Sequence, residues 1–312
     1  MAAENLISQF DLAVLGADDP LGQSFLKVLE ESDVQVGRIY PLTLGESDGI
    51  VAFRGEEWPC LVAEGFNFGQ AQALVVASPH PAARRRAEQV RALYPVMPVL
   101  TGDDVLPAPA LAVARLLKIL EALGGVAQAE AFVTLPVALA GKAGMDELVN
   151  QTRGLFNMES PDPEIFPLQI AFNIVPETNE GPGRYGPASL AAAVKNQGVA
   201  GEAGFTVAWA PLFFGAMTAL HVRLERAVDP AELRQALKRQ ENLCLMESTL
   251  AAGNPTPATD SAESADIFLG QVRVEGSNVR LWLVFDPLRM EAEQVVSAVE
   301  NWIEIPANSM LT

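Results

Sequence analysis

The sequence predicts an α/β protein built from two domains. Its 312 residues are enough for two domains of ordinary size. In the first part of the chain, short apolar segments alternate with helical patterns, as expected for a parallel sheet covered by helices. In the second part several longer strand patterns follow one another and include a hairpin, which is typical of an α+β domain.

The first strand and turn, residues 11–22, define the N-terminal domain. An apolar run from Leu12 to Leu15 ends at Gly16, and Gly22 follows six residues later. Residues 23–31 then carry apolar side chains at the spacing of an amphipathic helix. Strand, glycine turn and helix form the layout of a Rossmann-like dinucleotide-binding unit, whose helix N-terminus receives a pyrophosphate. The pattern therefore predicts a nucleotide-binding fold.

The side chains of this turn are unusual for such a fold. Asp19 stands at the usual middle glycine, with Asp18 before it and Pro20 after it. The two carboxylates lie where phosphates would approach, and a side chain at Asp19 blocks the backbone contact. We therefore predict a degenerate cofactor site at Gly16, Asp19 and Gly22 on a retained fold.

The other elements of the N-terminal domain continue the alternation of strands and helices. Strands are predicted at residues 34–40, 50–53, 58–62, 73–77 and 98–100, and helices at residues 82–93 and 110–123. The last of these helices closes at Gly124 and Gly125, and a new series of strands begins at Ala129. The first domain is therefore predicted to span residues 1–125.

The second domain is predicted to span residues 126–289. Its strands are expected at residues 129–136, 205–211, 216–224, 267–275 and 278–285, and its helices at residues 145–157, 188–197 and 230–241. Asp229 is the expected N-cap of the last of these helices. Residues 159–180 and 251–263 are interpreted as loops, and residues 290–303 as a closing amphipathic helix.

Composition and charge exclude several classes of partner. The formal net charge of −18 opposes binding to nucleic acid or to an anionic membrane. Hydrophobic residues make up 49% of the chain, so a sizeable core is expected. The sequence has neither a charged-then-apolar leader nor an apolar stretch long enough to cross a bilayer. We expect a soluble cytoplasmic protein.

The cysteines and histidines form no recognisable metal-binding or nucleophilic pattern. Cys60 and Cys244 both lie in apolar contexts, which are typical of buried, unreactive thiols. His80 and His221 are interpreted as surface or structural residues, and no zinc site is predicted.

Five segments, in consistent order, resemble the aspartate-semialdehyde dehydrogenase family along nearly the whole chain. They are the opening glycine turn and the segments GKAGMDEL at 141–148, FPLQIAFNIVP at 166–176, DIFLGQVR at 266–273 and LWLVFDPL at 281–288. The resemblance implies a nucleotide-binding domain and a second domain that is built on a large mixed sheet and forms a homodimer. It also implies that a C-terminal helix, residues 290–312, returns to the first domain and completes it.

The resemblance further implies a chemistry, which this sequence does not support. Members of the family use a cysteine thiolate to attack an acyl phosphate, a histidine to move protons, and NADPH to deliver hydride to the thioester. Here the position of the nucleophile is Pro109 and that of the base is Ala216. Trp209 stands in place of the family's arginine and Pro136 in place of its glutamine.

Three further segments depart from the family pattern. The phosphate-facing Ser-Gly-Gly-Ser turn is replaced by residues 78–81, Ser-Pro-His-Pro. Ala138 and Leu139 replace a Ser-Gly pair, and residues 287–291, Pro-Leu-Arg-Met-Glu, replace the Asn-Leu-Arg-Lys-Gly segment that approaches the nicotinamide. Because the thiol, the imidazole, the amide and the glycine turns are lost together, the sequence predicts an inactive homologue. It resembles the members of the family called USG proteins.

An inactive homologue of this kind is expected to have no catalytic residue and no cofactor. It is expected to keep the homodimeric fold and to act through binding or as a scaffold, which includes a heteromeric protein partner. Two alternatives stay open. One is an active NADP-dependent aspartate-semialdehyde dehydrogenase whose catalytic residues lie at other positions than those matched above, and whether Cys60 or Cys244 lies in the cleft also stays open. The other is a sensor that binds an adenine nucleotide or a small acid.

Overall fold

A computed structural model describes residues 10–45, 49–178 and 183–304 of the chain. These residues form two compact units. The first unit ends at Val105 and resumes at Ala292, and the second unit spans Leu106–Glu291. Each unit has its own sheet.

The first unit contains short strands and two helices before Val105. The strands are β1 (Leu12–Leu15), β2 (Ile39–Thr43), β3 (Ile50–Phe53), β4 (Glu56–Pro59), β5 (Leu61–Val62), β6 (Ala73–Val76) and β7 (Val99–Leu100), and the helices are α1 (Pro20–Glu31) and α2 (Pro81–Leu93).

The second unit contains longer strands. They are β8 (Val126–Pro136), β9 (Val175–Pro176), β10 (Glu202–Ala210), β11 (Ala216–Leu224), β12 (Leu243–Leu245), β13 (Ile267–Glu275) and β14 (Asn278–Phe285). The helices are α3 (Ala108–Gly124), α4 (Gly141–Phe156), α5 (Pro187–Asn196), α6 (Pro230–Lys238), α7 (Pro257–Asp260) and α8 (Pro287–Glu304), of which α8 continues into the first unit.

The sheet of the first unit is parallel and has the strand order β5-β2-β1-β6-β7. All four residues of β1 and all four of β6 are buried, as expected for central strands covered on both faces. Helix α1 buries Phe25, Leu26 and Leu29 in the core on one face. From Ala292 onward, helix α8 joins the same core through residues that include Val295 and Val299. The predicted return of the C-terminal helix is therefore confirmed for its described part, and residues 305–312 lie outside the described residues.

The sheet of the second unit is mixed and has the strand order β12-β13-β14-β11-β8-β10-β9. The pairs β8/β10 and β12/β13 are parallel, and the other neighbours are antiparallel. Helix α3 contacts β8, β11, α5 and α6. Strand β8 alternates between buried and exposed residues along its first half, so the sheet has a second face that the helices do not cover. The predicted α/β fold with a large mixed sheet is confirmed.

Proline defines the start of most of these helices. Because proline lacks an N–H and has a fixed φ, it suits the first helical position. The helices that begin in this way are α1, α2, α5, α6, α7 and α8. At α6 the preceding Asp229 accepts hydrogen bonds from the N–H groups of Ala231 and Glu232, at 2.7 and 3.0 Å, as predicted for its N-cap.

Several predicted bounds differ from the structure. The strand predicted at residues 34–40 begins only at Ile39, because Val34 and Val36 bury their side chains in the core next to α1 without joining the ladder. The sequence placed the domain boundary near residue 125, whereas the first unit ends at Val105 and helix α3 packs within the second unit.

Two segments interpreted as loops contain short elements. Residues 159–180 include the two-residue strand β9, and residues 251–263 include the one-turn helix α7. Residues 179 and 180 lie outside the described residues. The hairpin predicted at residues 267–275 and 278–285 is confirmed with the same bounds.

Candidate functional site

The opening turn lies at the carboxyl end of β1, in the middle of the parallel sheet. Because β2 flanks β1 on one side and β6 on the other, the strand order reverses there, and α/β sheets bind ligands at such a point. Gly16 has a φ of +79°, and a Cβ there would lie 2.5 Å from the Cβ of Ser78. A Cβ at Gly22 would lie 2.1 Å from the carbonyl oxygen of Gly16. Gly16 is therefore needed for the close approach to the turn after β6, and Gly22 for the close packing of helix α1 against the opening turn.

Two carboxylates stand at this turn. Asp18 Oδ2 accepts a hydrogen bond of 3.1 Å from Oγ1 of Thr43, and Asp19 is the N-cap residue of helix α1. Pro20 is the first residue of that helix and has no N–H to donate. A pyrophosphate would thus meet two negative side chains and one backbone donor fewer than usual. The residues present at the turn do not fit a dinucleotide.

The neighbouring turn, which follows β6, is held by its own side chains. Nδ1 of His80 accepts a hydrogen bond from the N–H of Ala82 at 3.1 Å, so the imidazole caps helix α2. Oγ of Ser78 accepts a hydrogen bond from the N–H of His80 at 3.3 Å. His80 therefore has the structural role that the sequence predicted for it.

Cys60 lies between β4 and β5 in the first unit, and its side chain is 1% exposed. Burial, and to a smaller extent the negative charge of Asp18, raises the pKa of the thiol to about 11. At neutral pH the group is therefore a neutral thiol, whereas the thiolate is the nucleophile. Cys60 behaves as the buried hydrophobic residue that the sequence predicted.

Pro109 lies in the first turn of helix α3 and is buried. The N–H of the preceding residue, Ala108, donates a hydrogen bond of 3.0 Å to Oε1 of Glu291. The helix terminus to which the resemblance assigns a catalytic thiolate therefore holds a carboxylate of the chain itself.

Glu291 is the centre of a buried polar cluster, which also contains Arg184 and Tyr185. Its side chain is 0% exposed. The hydroxyl of Tyr185 lies 2.9 and 3.0 Å from the two carboxylate oxygens, and Nη1 of Arg184 lies 3.2 Å from Oε2. Burial, followed by the nearby Glu291 carboxylate, raises the pKa of Tyr185 well above its usual range. The phenol is therefore protonated and can donate its hydrogen to Glu291.

This cluster was not predicted from the sequence, although one signal for it was present. Glu291 precedes Val295 and Val299 by four and eight residues, so it lies on the apolar face of the closing helix. A charged residue on such a face is rarely buried without a partner. Its partners, Arg184 and Tyr185, are more than 100 residues away and could not be identified from spacing.

The register of the large sheet brings three of the predicted positions to one edge. Ala216 begins β11, Pro136 ends β8 next to it, and Trp209 lies near the end of β10. Trp209 pairs with Leu135, the neighbour of Pro136, and Met217 pairs with Thr134. These three positions therefore lie close together at one edge of the large sheet.

The side chains at this edge have little capacity for acid–base chemistry. Ala216 is fully buried and Trp209 is 9% exposed. The indole N–H of Trp209 donates a hydrogen bond of 2.7 Å to Oε2 of Glu177, and its ring packs edge-on against Phe166 with centroids 5.3 Å apart. The single polar atom of Trp209 is thus already bonded within the chain.

Cys244 and His221 lie elsewhere on the same sheet. Cys244 is on the edge strand β12, three strands from β11, which corresponds to about 14 Å at the usual strand spacing. His221 is an exposed residue of β11, opposite Glu130 on β8 and Arg280 on β14. Neither side chain lies at the sheet edge that Ala216, Pro136 and Trp209 form.

Metal-binding groups and membrane-spanning helices are both absent from the described part of the chain. No group of three or more His, Cys, Asp or Glu side chains within it is arranged to hold a metal ion. None of the helices within it is long and apolar enough to cross a membrane.

Comparison with known proteins identifies the family. The profile of the semialdehyde dehydrogenase dimerisation domain matches residues 116–290, more than half of the chain. The chain belongs to the semialdehyde dehydrogenase family. The resemblance inferred from the five sequence segments is therefore confirmed.

The similar proteins carry two different names within this family. A USG-1 protein homolog of Azotobacter vinelandii is 28% identical over 315 residues, which cover 89% of this chain and 93% of that protein. The aspartate-semialdehyde dehydrogenase of Shewanella violacea is 24% identical over 321 residues, which cover 91% of this chain and 94% of that protein. The family member described here is thus similar in length to both.

Solved structures show the same fold. Aspartate semialdehyde dehydrogenase II of Vibrio cholerae, in complex with ASA, matches with a TM-score of 0.74 and 20% identity over 95% of this chain and 98% of that chain. A probable aspartate-semialdehyde dehydrogenase of Pseudomonas aeruginosa matches with a TM-score of 0.76 and 21% identity over 96% of this chain and 100% of that chain.

Proposed function

We propose that this member of the semialdehyde dehydrogenase family is catalytically inert, keeps the dimeric fold of the family, and acts through binding or as a scaffold. The observation that carries the proposal is the N-terminus of helix α3. Pro109 stands there at the family's nucleophile position, and the Glu291 carboxylate accepts the N–H of Ala108. A proline ring offers no nucleophilic atom for attack on an acyl phosphate.

The electrostatics of the same helix terminus point in the same direction. The positive end of a helix stabilises a thiolate and lowers the pKa of a cysteine placed there. In this chain that positive end already stabilises the Glu291 carboxylate. A second anion beside Glu291 would be repelled, so even a cysteine introduced at position 109 would have a raised pKa.

The sheet edge formed by Ala216, Pro136 and Trp209 supports the proposal. The methyl group of Ala216 cannot transfer a proton, which is the role of the family's histidine. The indole of Trp209 carries no positive charge for a substrate carboxylate, and its N–H is bonded to Glu177. At the family's histidine position, Ala216 therefore cannot act as a base. At the family's arginine position, Trp209 cannot form an ion pair with a substrate carboxylate.

The residues of the opening turn support a further part of the proposal, namely that the chain binds no dinucleotide. The family's cofactor, NADP, would supply or accept hydride if it were bound. Asp18 and Asp19 oppose its pyrophosphate at the N-terminus of α1, and His80 already caps the neighbouring helix α2. We therefore propose that the turn at Gly16, Asp19 and Gly22 is retained for the fold.

The proposed dimer rests on exposed apolar side chains of the second unit. Large apolar side chains that are more than a third exposed are unusual on a monomer when they occur together. In this unit they include Phe132, Val149, Phe156, Met158, Ile165, Leu168, Phe172, Ile174, Phe213 and Phe214. We propose that a second copy of the chain covers part of this surface.

A steady-state assay tests catalytic inertness. The purified chain is mixed with aspartate semialdehyde, inorganic phosphate and NADP⁺, and NADPH formation is followed by absorbance. The aspartate-semialdehyde dehydrogenase of Shewanella violacea serves as the positive control. We expect no turnover above background. A rate on the order of 1 s⁻¹ or more, the ordinary range for enzymes, would instead establish the active alternative.

A calorimetric titration tests the nucleotide-sensor alternative independently of turnover. We expect no saturable heat when NADP⁺ or NADPH is added to millimolar concentration. Saturable binding without turnover would mean that the turn accepts a dinucleotide despite Asp18 and Asp19. The variant Asp19→Gly is the matched comparison, because it restores the usual middle glycine and removes one charge.

A further inference from the structure

The buried cluster of Arg184, Tyr185 and Glu291 has the composition of a carboxylate-binding site. Three donors from two separate segments converge on one carboxylate: the N–H of Ala108, the hydroxyl of Tyr185 and the guanidinium of Arg184. The donor–acceptor distances are 3.0, 2.9 and 3.2 Å. Hydrogen bonds of this charge-assisted kind are stronger than neutral ones.

The donors are fixed by the surrounding structure. The N–H of Ala108 belongs to the first turn of the buried helix α3. Tyr185 is buried, its phenol is protonated, and the guanidinium carbon of Arg184 lies 5.3 Å from the centre of the Tyr185 ring. Such donors do not have to reorganise around an anion, and a pre-organised site binds with a smaller entropic cost.

The carboxylate that fills the site belongs to the side chain of Glu291. Beyond its Cβ, the Glu291 side chain is one methylene and one carboxylate, which is the size and shape of acetate. Shortening Glu291 to alanine would leave a buried space with that outline, lined by the donors of Ala108, Tyr185 and Arg184. A buried polar space of this kind favours a ligand that restores the lost hydrogen bonds.

We propose that this cluster is a carboxylate-binding site that the chain fills with its own Glu291, and that acetate enters the site when Glu291 is replaced by alanine. In the native chain Glu291 therefore acts as an internal ligand that excludes small carboxylates. The inference does not depend on catalytic inertness, because it concerns stability and ligand binding and not turnover.

The test is the melting temperature of Glu291→Ala in sodium acetate and in sodium chloride at equal ionic strength. In chloride, loss of the buried carboxylate is expected to lower Tm by roughly 5–10 °C, because the buried phenol of Tyr185 and the N–H of Ala108 lose the acceptor that Glu291 provides. Acetate is expected to raise the Tm of the variant in a saturable way, with a dissociation constant on the order of 1 mM. The wild-type chain should show no such difference between the salts.

Two further variants exclude a general effect of acetate. Glu291→Gln keeps the site filled with an amide of the same size, so its Tm should be equal in both salts. Adding Tyr185→Phe to Glu291→Ala removes one donor and should weaken the acetate response at least several-fold. An acetate shift in Glu291→Ala that is no larger than in the wild type or in Glu291→Gln would overturn the proposal.

If Glu291→Ala does not fold in chloride, the single variants Tyr185→Phe and Glu291→Gln and their combination decide the matter. Residues that share one carboxylate site are coupled, so the fall in Tm of the double variant should be clearly smaller than the combined falls of the single variants. Falls that simply add would show that Tyr185 and Glu291 act independently, which the proposal does not allow. An active dehydrogenase in the turnover assay would contradict the proposed function and leave this result unaffected.

Discussion

At the scale of single residues, the burial of Cys60 beside the Asp18 carboxylate makes its thiol unreactive. The thiol of Cys60 is buried next to the Asp18 carboxylate, so ionisation would place two negative charges close together in a poorly solvated position. Asp18 in turn accepts a hydrogen bond from Thr43. Both side chains therefore contribute to packing and hydrogen bonding within the first unit.

The raised pKa of Cys60 predicts a pH dependence of stability. The thiol ionises at about 9 in the unfolded chain but at about 11 in the folded chain, so its contribution is fully present below the unfolded pKa and is lost as the pH rises towards 11. Between about pH 8.5 and about pH 10.5, the free energy of unfolding of the wild type should fall by about 2 kcal/mol more than that of Cys60→Ala.

Urea denaturation of both proteins at the two pH values measures this difference. Cys244→Ala serves as the matched control, because Cys244 lies on the edge strand β12 and is only partly buried. Parallel losses of stability in the wild type and in Cys60→Ala would contradict the assignment of a raised pKa to Cys60.

At the scale of elements, the residues at the N-termini of helices α1, α2 and α3 determine whether an anion can bind there. Helix α1 begins at Asp19 and Pro20, helix α2 is capped by His80, and the N–H of Ala108 in helix α3 is bonded to Glu291. Helix N-termini are the natural anion sites of α/β folds. At α2 and α3 the terminus holds a side chain of the protein itself, and at α1 Pro20 removes one backbone donor.

The close packing of helix α1 predicts that replacing glycine by alanine has opposite effects on stability at Gly22 and at Gly154. A Cβ at Gly22 would lie 2.1 Å from the carbonyl oxygen of Gly16, whereas a Cβ at Gly154 in helix α4 would only make ordinary contacts with Glu159. Glycine to alanine in a helix is otherwise stabilising by about 1 kcal/mol. We expect Gly22→Ala to destabilise the chain by about 2 kcal/mol or more and Gly154→Ala to be neutral or stabilising.

Chemical denaturation of both variants provides the measurement. If Gly22→Ala were as stable as Gly154→Ala, the glycine at position 22 would not be needed for the packing of the turn.

At the scale of the whole molecule, the sequence predicted most of the fold and only part of the site. The strand at residues 216–224 and the hairpin were predicted with their observed bounds, because apolar alternation and a turn signal mark them locally. The ladder of β2 begins later than predicted, since Val34 and Val36 are buried without pairing. Glu291 was missed as a site residue because its partners are distant in sequence and only tertiary structure brings them together.

The apolar surface of the second unit predicts a dimer in solution. Sedimentation equilibrium should give twice the 33.3 kDa of one chain. Phe132 is 39% exposed on β8 of the large sheet, so Phe132→Asp is expected to weaken the dimer at least tenfold. Leu93→Asp is the control, because Leu93 is 74% exposed on helix α2 of the first unit and should leave the dimer intact. A wild-type chain that sediments as a monomer at micromolar concentration would contradict the dimer.

The proposed catalytic inertness rests on the chemistry at Pro109, Ala216 and Glu291, and the phosphate-dependent reduction of NADP⁺ by aspartate semialdehyde is the measurement that tests it. We expect the wild-type chain and the variant Cys60→Ser to give the same rate as buffer alone. A wild-type rate on the order of 1 s⁻¹ that is lost in Cys60→Ser or Cys244→Ser would mean that one of these thiols is the nucleophile and that the chain is an active enzyme.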